Sequence, residues 1–426
     1  MTRSFLTTAC LALSWMLSPD ALIMLGNSVG RGGMMFFAPF AIGLIFSALA
    51  IYLTNHPVLA TSTGNSFTHL ATETGLLPAI ILTLASRLCL VLLLPTGMLV
   101  TAGFTFNETF IYWFPNFAFS FLLLGIILTL HLAGDSIALA AQPFFIGLTI
   151  CCLLLLCLVG LFNPQELPPN QITPVNEFSL PILPVFTALI LFLGYDRQES
   201  SPSFDKRSLY IWTIIAGFML LACWGFVSLK HVPQTTLADS TIPYIISARE
   251  VLGQPGRIIM GVAIISGTCG LVNGLFLLAG RSLQQMVDHV FHPSVGSSAL
   301  RQRIFPVLFS LFIGIFWKAG LAGSENLDIY IYGSLLFWLL MIGMQCFAAT
   351  RKLQKQQGTS TLYWYLFSAL FPIAAILLAC LNVHAATLVV FCFAVLCVSS
   401  TVSTGLFWYD RKTNDKTIQN SLGEKP

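Results

Sequence analysis

Charged side chains are scarce in this sequence: Asp, Glu, Lys and Arg together make up 9% of its 426 residues. A soluble domain of this length would carry about a quarter charged residues. The shortage excludes a soluble globular protein, as do the 56% of hydrophobic residues and the mean hydropathy of +0.83. The composition instead predicts an integral membrane protein whose main partner is the lipid bilayer.

The residue patterns that hold metals, phosphates and nucleic acids are also missing. The 7 histidines form no helix-spaced cluster with glutamate, and no phosphate-binding glycine loop stands out. All 11 cysteines lie in apolar runs, and even the closely spaced Cys151, Cys152 and Cys157 have no neighbouring His or acid. The basic residues are dispersed in short loops and form no patch. We therefore expect no cofactor, no metal site and no nucleic-acid partner.

Apolar segments long enough to cross a bilayer are abundant, and about twelve of them can be counted. An even number places both termini on one side. With this topology most of the basic residues fall in the loops of that side, among them Arg351, Lys352 and Lys355. The positive-inside rule then predicts cytoplasmic termini and a multi-pass protein of the cell (inner) membrane.

A polar tripeptide interrupts the first apolar segment. Ser18, Pro19 and Asp20 lie between apolar runs that otherwise form one span, from about residue 5 to residue 25. One interpretation is a helix that breaks inside the membrane, where its free N–H and C=O groups can bind an ammonium or a carboxylate. The other interpretation is a simple proline kink.

The sixth apolar segment ends in a similar way. It begins near residue 180 and meets Gly194, Tyr195 and Asp196 without a spacer. If the first ten helices form two five-helix halves, the first and sixth segments correspond, and paired interruptions at corresponding positions point to a transport site. An ordinary helix end at the membrane interface is the alternative.

One arginine, Arg87, lies near the middle of the third segment. A charge at this depth costs roughly 2.5–3.5 kcal/mol and normally has a partner or a water-filled cavity. Asp20 is the ionisable group at comparable depth, so we expect an Asp20–Arg87 charge pair. The pair either locks two segments together or opens when a substrate or a proton binds.

Small and hydroxyl-bearing residues are concentrated in the eighth segment, around Gly267 and Gly270. Such residues permit close helix packing, which is one explanation of their presence. The alternative is that the hydroxyl group of Ser266 or Thr268 binds a sodium ion or the substrate.

Several short stretches resemble permeases of the amino acid–polyamine–organocation (APC) superfamily. Residues 192–196 (Phe-Leu-Gly-Tyr-Asp) are similar to the family's sixth-helix pattern of aromatic-x-Gly-aromatic-acid. Residues 273–282 resemble the ending of its eighth helix, and the connection from His56-Pro57 to Thr74-Gly75 resembles a permease loop. Residues 326–333 are similar to bacterial exporters of methionine and branched-chain amino acids.

The resemblance implies an all-α polytopic fold of about twelve helices, built as an inverted five-plus-five repeat of the leucine-transporter-like kind. The first repeat would cover about residues 5–162 and the second about 180–349. Two further helices would follow at about 362–408, with a cytoplasmic tail at 409–426. All of these would form one transmembrane domain.

The resemblance also implies a substrate site between the first and sixth helices. Ser18, Pro19 and Asp20 would bind substrate at the first-helix turn, with Phe192, Gly194 and Tyr195 opposite them. The family's first-helix Gly-x-Gly is replaced here, and an anionic Asp20 would repel a carboxylate. Either Arg87 neutralises Asp20, or the substrate binds in another way, such as a cation.

The coupling ion stays open between a proton and sodium. The fifth segment has no lysine that could stand in for a sodium ion. Protonation of Asp196 or Asp20 is therefore the simplest route to coupling.

Three function classes remain in view. The first is a secondary active transporter of an amino acid or a related amine, not an enzyme, that works by alternating access. The second is a transporter-like sensor or partner subunit, which the altered first-helix turn favours. The third is a membrane-embedded enzyme, for which convergent His and acidic residues would be needed.

Overall fold

The computed structural model describes residues 2–54, 66–163, 182–192, 206–291, 298–357 and 362–423. Within these ranges the chain forms helices and their connections, without a β-strand. The helices, in chain order, are α1 (Thr2–Leu13), α2 (Pro19–Gly32), α3 (Phe37–Thr54), α4 (Ser66–Thr74), α5 (Leu76–Leu88), α6 (Leu94–Thr109), α7 (Asn116–Ala133), α8 (Asp135–Phe162), α9 (Ile182–Ile190), α10 (Lys206–His231), α11 (Gln234–Asp239), α12 (Pro243–Phe291), α13 (Ser298–Lys318), α14 (Ser324–Gln357), α15 (Leu362–Leu381) and α16 (Ala385–Gly423).

Nine helical stretches of the described residues are long and apolar enough to cross a membrane. Each predicted apolar segment coincides with a helix, and the first coincides with both α1 and α2. The two counts differ because α2 and α3, joined by the 3₁₀ turn Gly33–Phe36, form one continuous stretch. In addition, α9 has only nine residues, and α13 is not among the nine stretches. The predicted all-α polytopic class is confirmed.

Helix α12, which has a kink at Gly253 where the backbone is non-helical (φ 65°, ψ −145°), lies at the centre of the bundle. Its most apolar window is 83% buried, compared with 22% for α15 and 17% for α16. It packs against α2, α6, α8, α10 and α13, whereas the last two helices are at the periphery with apolar side chains exposed. A helix that is apolar on all sides belongs in such a central position, and exposed apolar side chains at the periphery suit contact with lipid.

The third membrane-spanning element contains a π-helical segment, Cys89–Leu93, between α5 and α6. The N–H of Leu94 donates to the carbonyl of Cys89, five residues earlier, and the next residue is Pro95, which has no N–H to donate. Trp317 of α13 donates its indole N–H to the carbonyl of Thr96, at 2.8 Å. The segment is buried in the largest apolar cluster, and π segments of this length occur frequently at functional sites.

A lysine stabilises the C-terminal end of α8. The Nζ atom of Lys230, on α10, donates to the carbonyls of Gly160, Leu161 and Asn163 at 3.3, 3.0 and 2.8 Å. These carbonyls lie at the helix end, where they have no intrahelical N–H donors and where the helix dipole is negative. The cation therefore supplies both the missing donors and the favourable charge.

We expect Lys230→Met to lower the free energy of unfolding by about 1–2 kcal/mol, because the carbonyls lose a charged donor. Thermal melting of the purified protein in detergent measures this loss. Lys318→Met is the matched control, since Lys318 is an exposed lysine at the end of α13. An equal loss of stability in both variants would contradict the assignment.

Candidate functional site

The first helix breaks at the position that the sequence indicates. Helix α1 ends at Leu13 and α2 begins at Pro19, so residues 14–18 form a non-helical turn, called here the first break. Ser18 caps α2, since its hydroxyl accepts the N–H of Ala21 at 3.1 Å. Pro19 is the first residue of the helix, where its missing N–H is harmless, and the acid Asp20 lies in the first turn. The tripeptide thus supplies, in sequence, three residue types that favour the start of a helix.

The sixth-helix element ends inside the protein. Helix α9 ends at Ile190, and the N–H groups of Leu191 and Phe192 donate to carbonyls three residues earlier, in a turn called here the second break. Ile190, Leu191 and Phe192 are each 0% exposed. An ordinary helix end at the membrane interface would be open to water, whereas the last described residues of this element are buried.

A side chain joins the two breaks directly. Trp15, in the first break and 2% exposed, donates its indole N–H to the carbonyl of Ile190 at the end of α9. A buried indole N–H needs an acceptor, and the last carbonyls of a helix need donors, so each satisfies the other. Nearby, Phe192 stacks on Phe40 of α3 with ring centroids 5.4 Å apart. The predicted juxtaposition of the first and sixth helices is therefore present.

Helix α12 packs against the first break at Gly267. A Cβ atom at Gly267 would lie 2.5 Å from the carbonyl oxygen of Leu17, so only glycine permits this approach. The neighbouring Ser266 hydroxyl pairs with Thr149 of α8 at 2.8 Å, and the Thr268 hydroxyl donates to the carbonyl of Ile264 at 2.8 Å. The two predicted ion-binding residues thus flank the glycine that packs on the break, with both hydroxyls engaged in bonds within the bundle.

Asp20 is buried beside this junction with part of its carboxylate unused. It is 5% exposed, and its Oδ2 atom has no hydrogen-bond partner. Tyr244, at the start of α12, interacts electrostatically with Asp20, and its hydroxyl bonds to that of Thr105 on α6 at 2.9 Å. A buried carboxylate without full compensation is costly, so it indicates a site rather than a packing element.

A second acid lies nearer the surface. Asp328 of α14 interacts electrostatically with Asp20, yet its own side chain is exposed. It also interacts with Arg31, at the end of α2, and with His384, which precedes α16. The two carboxylates therefore lie at different depths, one at the surface and one buried. Such an arrangement attracts a cation towards Asp20.

The predicted charge pair between Asp20 and Arg87 is not seen among the described side chains. Arg87 is buried at 8% exposure, but the ion pairs between described side chains do not include one with Asp20. The reason is tertiary: α2 packs against α6, α9, α10, α11 and α12, whereas α5, which carries Arg87, packs mainly against α4, α14 and α16. Similar depth along two helices does not make them neighbours.

Three predicted site residues, Gly194, Tyr195 and Asp196, lie outside the described residues. Four residues that the sequence interpretation did not assign to the site lie at it: Trp15, Tyr244, Gly267 and Asp328. Only Asp328 has a sequence signal, as an acid at the beginning of an apolar segment. The positions of the other three depend on contacts between distant parts of the chain. The described residues hold no group of three or more His, Cys, Asp or Glu side chains that could bind a metal.

No protein-family model matches the chain, and no curated protein matches it. Among solved structures, it is similar to a manganese transporter of Eremococcus coleocola, crystallised with an aromatic bis-isothiourea substituted compound. The TM-score is 0.53 with 8% sequence identity, over 96% of this chain and 95% of that chain. At this identity the likeness shows the fold alone. The chain is thus a multi-pass membrane protein with a transporter fold, and the predicted leucine-transporter-like class is confirmed.

Proposed function

We propose that this chain is a secondary active transporter that moves an amino acid or a related amine by alternating access. The observation that carries the proposal is the buried carboxylate of Asp20, with an unbonded Oδ2 atom, beside two helix breaks that Trp15 joins. Broken helices expose backbone groups for a ligand, and a bundle that separates at its breaks can open to either side. The transporter fold supports the same reading.

The charge of the site favours a positively charged group on the substrate. Asp20 adds a carboxylate to the beginning of α2, and Asp328 adds a second at the surface. No arginine pairs with Asp20 among the described side chains. An ammonium group would supply the donors that Oδ2 lacks, in a charge-assisted hydrogen bond. An amine, or the amino end of an amino acid, fits this site better than a carboxylate does.

A divalent cation is the second candidate, because the similar solved structure is a manganese transporter by its title. Two carboxylates, Asp20 and Asp328, are hard oxygen ligands of the kind that manganese takes. In this reading the ion is the substrate and not a resident cofactor. The amine is preferred here because a single buried carboxylate suits one monovalent group.

A panel of solutes tested for counterflow in proteoliposomes distinguishes these candidates. The panel comprises radiolabelled amino acids, polyamines and manganese, each with an imposed proton or sodium gradient. We expect counterflow of an amine-bearing solute and its acceleration by a proton gradient. Manganese counterflow alone would favour the second candidate, while solute binding without any counterflow would contradict transport and support the sensor.

The remaining assignments belong to the same proposal. Asp196 and Asp20 are the proton-coupling acids, and Ser18, Pro19 and Phe192 line the substrate site. The basic loops predict that both termini lie on the cytoplasmic side of the inner membrane. The Ser18 hydroxyl already caps α2, so its contribution is to hold the break in shape. A protease that digests the tail in inside-out but not in right-side-out vesicles would support the orientation.

A further inference from the structure

A second buried polar group lies away from the substrate site, at the far end of α7. His131 is in the last turn of that helix and is 3% exposed, and its Nε2 atom has no partner in hydrogen-bond geometry. A single residue, Gly134, connects α7 to α8, whose first residue is Asp135. A buried imidazole near a helix end can take up and release a proton when its surroundings change slightly.

Hydrogen-bond acceptors, one acid and one aromatic ring lie around His131. Its imidazole lies against the backbone carbonyl and the side chain of Asn273, and it interacts electrostatically with Asp135. Helices α6, α8, α12 and α13 pack against α7, and Asp135 is the charged group that faces His131 from the described parts of them. The ring of Phe276 lies 5.6 Å away, within the range of a cation–π contact. Burial has the largest effect on the imidazole and opposes its charge, whereas Asp135, the acceptors of Asn273 and the ring favour the charge.

The orientation of the Asn273 amide is fixed. Its Nδ2 atom donates to the carbonyl of Ala138 at 2.9 Å and to Oε1 of Gln142 at 2.7 Å. Both amide hydrogens are therefore used, and the buried Oδ1 atom has no partner in hydrogen-bond geometry. An N–H of His131, whose imidazole interacts with the Asn273 side chain, can satisfy it. A neutral imidazole has one N–H and an imidazolium has two, so protonation fills one more acceptor.

The polar chain continues to the first break. The Nε2 atom of Gln142 donates to the carbonyl of Gly270 at 2.9 Å. A Cβ atom at Gly274 would lie 3.3 Å from this Nε2 and also 3.3 Å from the hydroxyl of Ser14, in the first break. The Ser14 hydroxyl in turn donates to the carbonyl of Leu11, in the last turn of α1, at 2.7 Å. Polar side chains on α7, α12 and α8 thus lead from His131 to Gln142, and Gly274 of α12 separates Gln142 from Ser14 in the first break.

We propose that His131 is a proton-binding residue of this protein, whose protonation acts through Asn273 and Gln142 on the first break. The inference deepens the proposed transport function, on which it rests, by placing a coupling proton at the end of α7 in addition to Asp20 and Asp196. The proton comes from water beside Asp135 and converts the imidazole to an imidazolium. The additional N–H then bonds to the side chain of Asn273. This new bond alters the hydrogen bonds that Gln142 makes with Asn273 and with the carbonyl of Gly270 on α12.

Trp15 reports on this change without any substrate, since its indole lies in the first break. The full chain in lipid nanodiscs is titrated from about pH 3 to about pH 8, a range that extends below that of a free histidine because burial opposes the charge, while tryptophan fluorescence is recorded. The signal of Trp15 is the difference from Trp15→Phe, because the chain has 8 tryptophans. We expect a single transition in the wild type and none in His131→Gln. No transition in the wild type, or an unchanged one in His131→Gln, would overturn the proposal.

His231→Gln is the matched control. His231 is also buried, at 5% exposure, but its Nε2 atom bonds to the carbonyl of Gly160 at 2.8 Å, far from the series of polar side chains. Its transition should equal that of the wild type. Loss of the transition in His231→Gln as well would overturn the assignment to His131.

Asn273→Asp keeps the test decisive if His131→Gln does not fold. A carboxylate in place of the amide favours the imidazolium, so the midpoint should move upward by roughly one pH unit. A midpoint that stays in place or moves downward would overturn the proposal. Because no solute is added, the outcome is independent of the counterflow panel: either result can be obtained whether or not an amine is transported.

Discussion

Replacement of Asp20 by asparagine is expected to lower amine uptake about 100-fold and to raise the stability of the protein at the same time. The uptake falls because the substrate ammonium loses its charged partner in a buried site, a loss of roughly 3 kcal/mol. The stability rises by about 1 kcal/mol because the free protein no longer holds an incompletely compensated charge. Opposite changes in activity and stability are typical of a functional residue.

Initial uptake rates in proteoliposomes and thermal melts in detergent measure the two effects. The matched control is Glu250→Gln, which removes an exposed carboxylate of α12 and should change neither quantity. A loss of stability in Asp20→Asn would indicate a structural acid. Uptake within about twofold of the wild type would contradict the substrate role.

Replacement of Gly267 by valine should abolish uptake by deforming the first break. The new Cβ atom would lie 2.5 Å from the carbonyl oxygen of Leu17, a backbone atom that cannot turn aside. Either α12 or the break must move, and overpacking of this kind costs about 1–3 kcal/mol. The carbonyl of Leu17 and the neighbouring cap at Ser18 would then no longer present the geometry that positions Asp20.

Gly280→Val separates this effect from the general cost of valine in the same helix. Gly280 also belongs to α12, but a Cβ atom there meets nothing within 4 Å. We expect wild-type uptake in Gly280→Val and none in Gly267→Val, compared at equal amounts of monodisperse protein. Normal uptake in Gly267→Val would show that the close approach of α12 to the break is dispensable.

The first break could be predicted because its cause is local. Ser18, Pro19 and Asp20 supply a cap, a residue without N–H and an acid in the first turn, all within three positions. The apolar segments were predictable for a similar reason, since each needs only a run of about 20 residues. The end of α9 differs from expectation by a few residues: the sequence indicates Gly194, and the helix ends at Ile190.

The contacts that build the site could not be predicted because they depend on tertiary packing. Trp15 and Ile190 are 175 residues apart in the chain. The Asp20–Arg87 pair is not seen among the described side chains for the same reason, because helices at one depth need not touch. Apart from Pro95, no feature of the sequence predicts the π segment after Arg87. The division into two repeats, about 5–162 and 180–349, stays a prediction.

Equilibrium binding of the amine identified by counterflow tests the central claim most directly, because it needs no gradient and no transport cycle. The purified wild type and Asp20→Asn are compared by scintillation proximity with the radiolabelled amine. The account predicts saturable binding in the wild type and a Kd raised about 100-fold in Asp20→Asn, which corresponds to roughly 3 kcal/mol. Equal Kd values in the two proteins would contradict it.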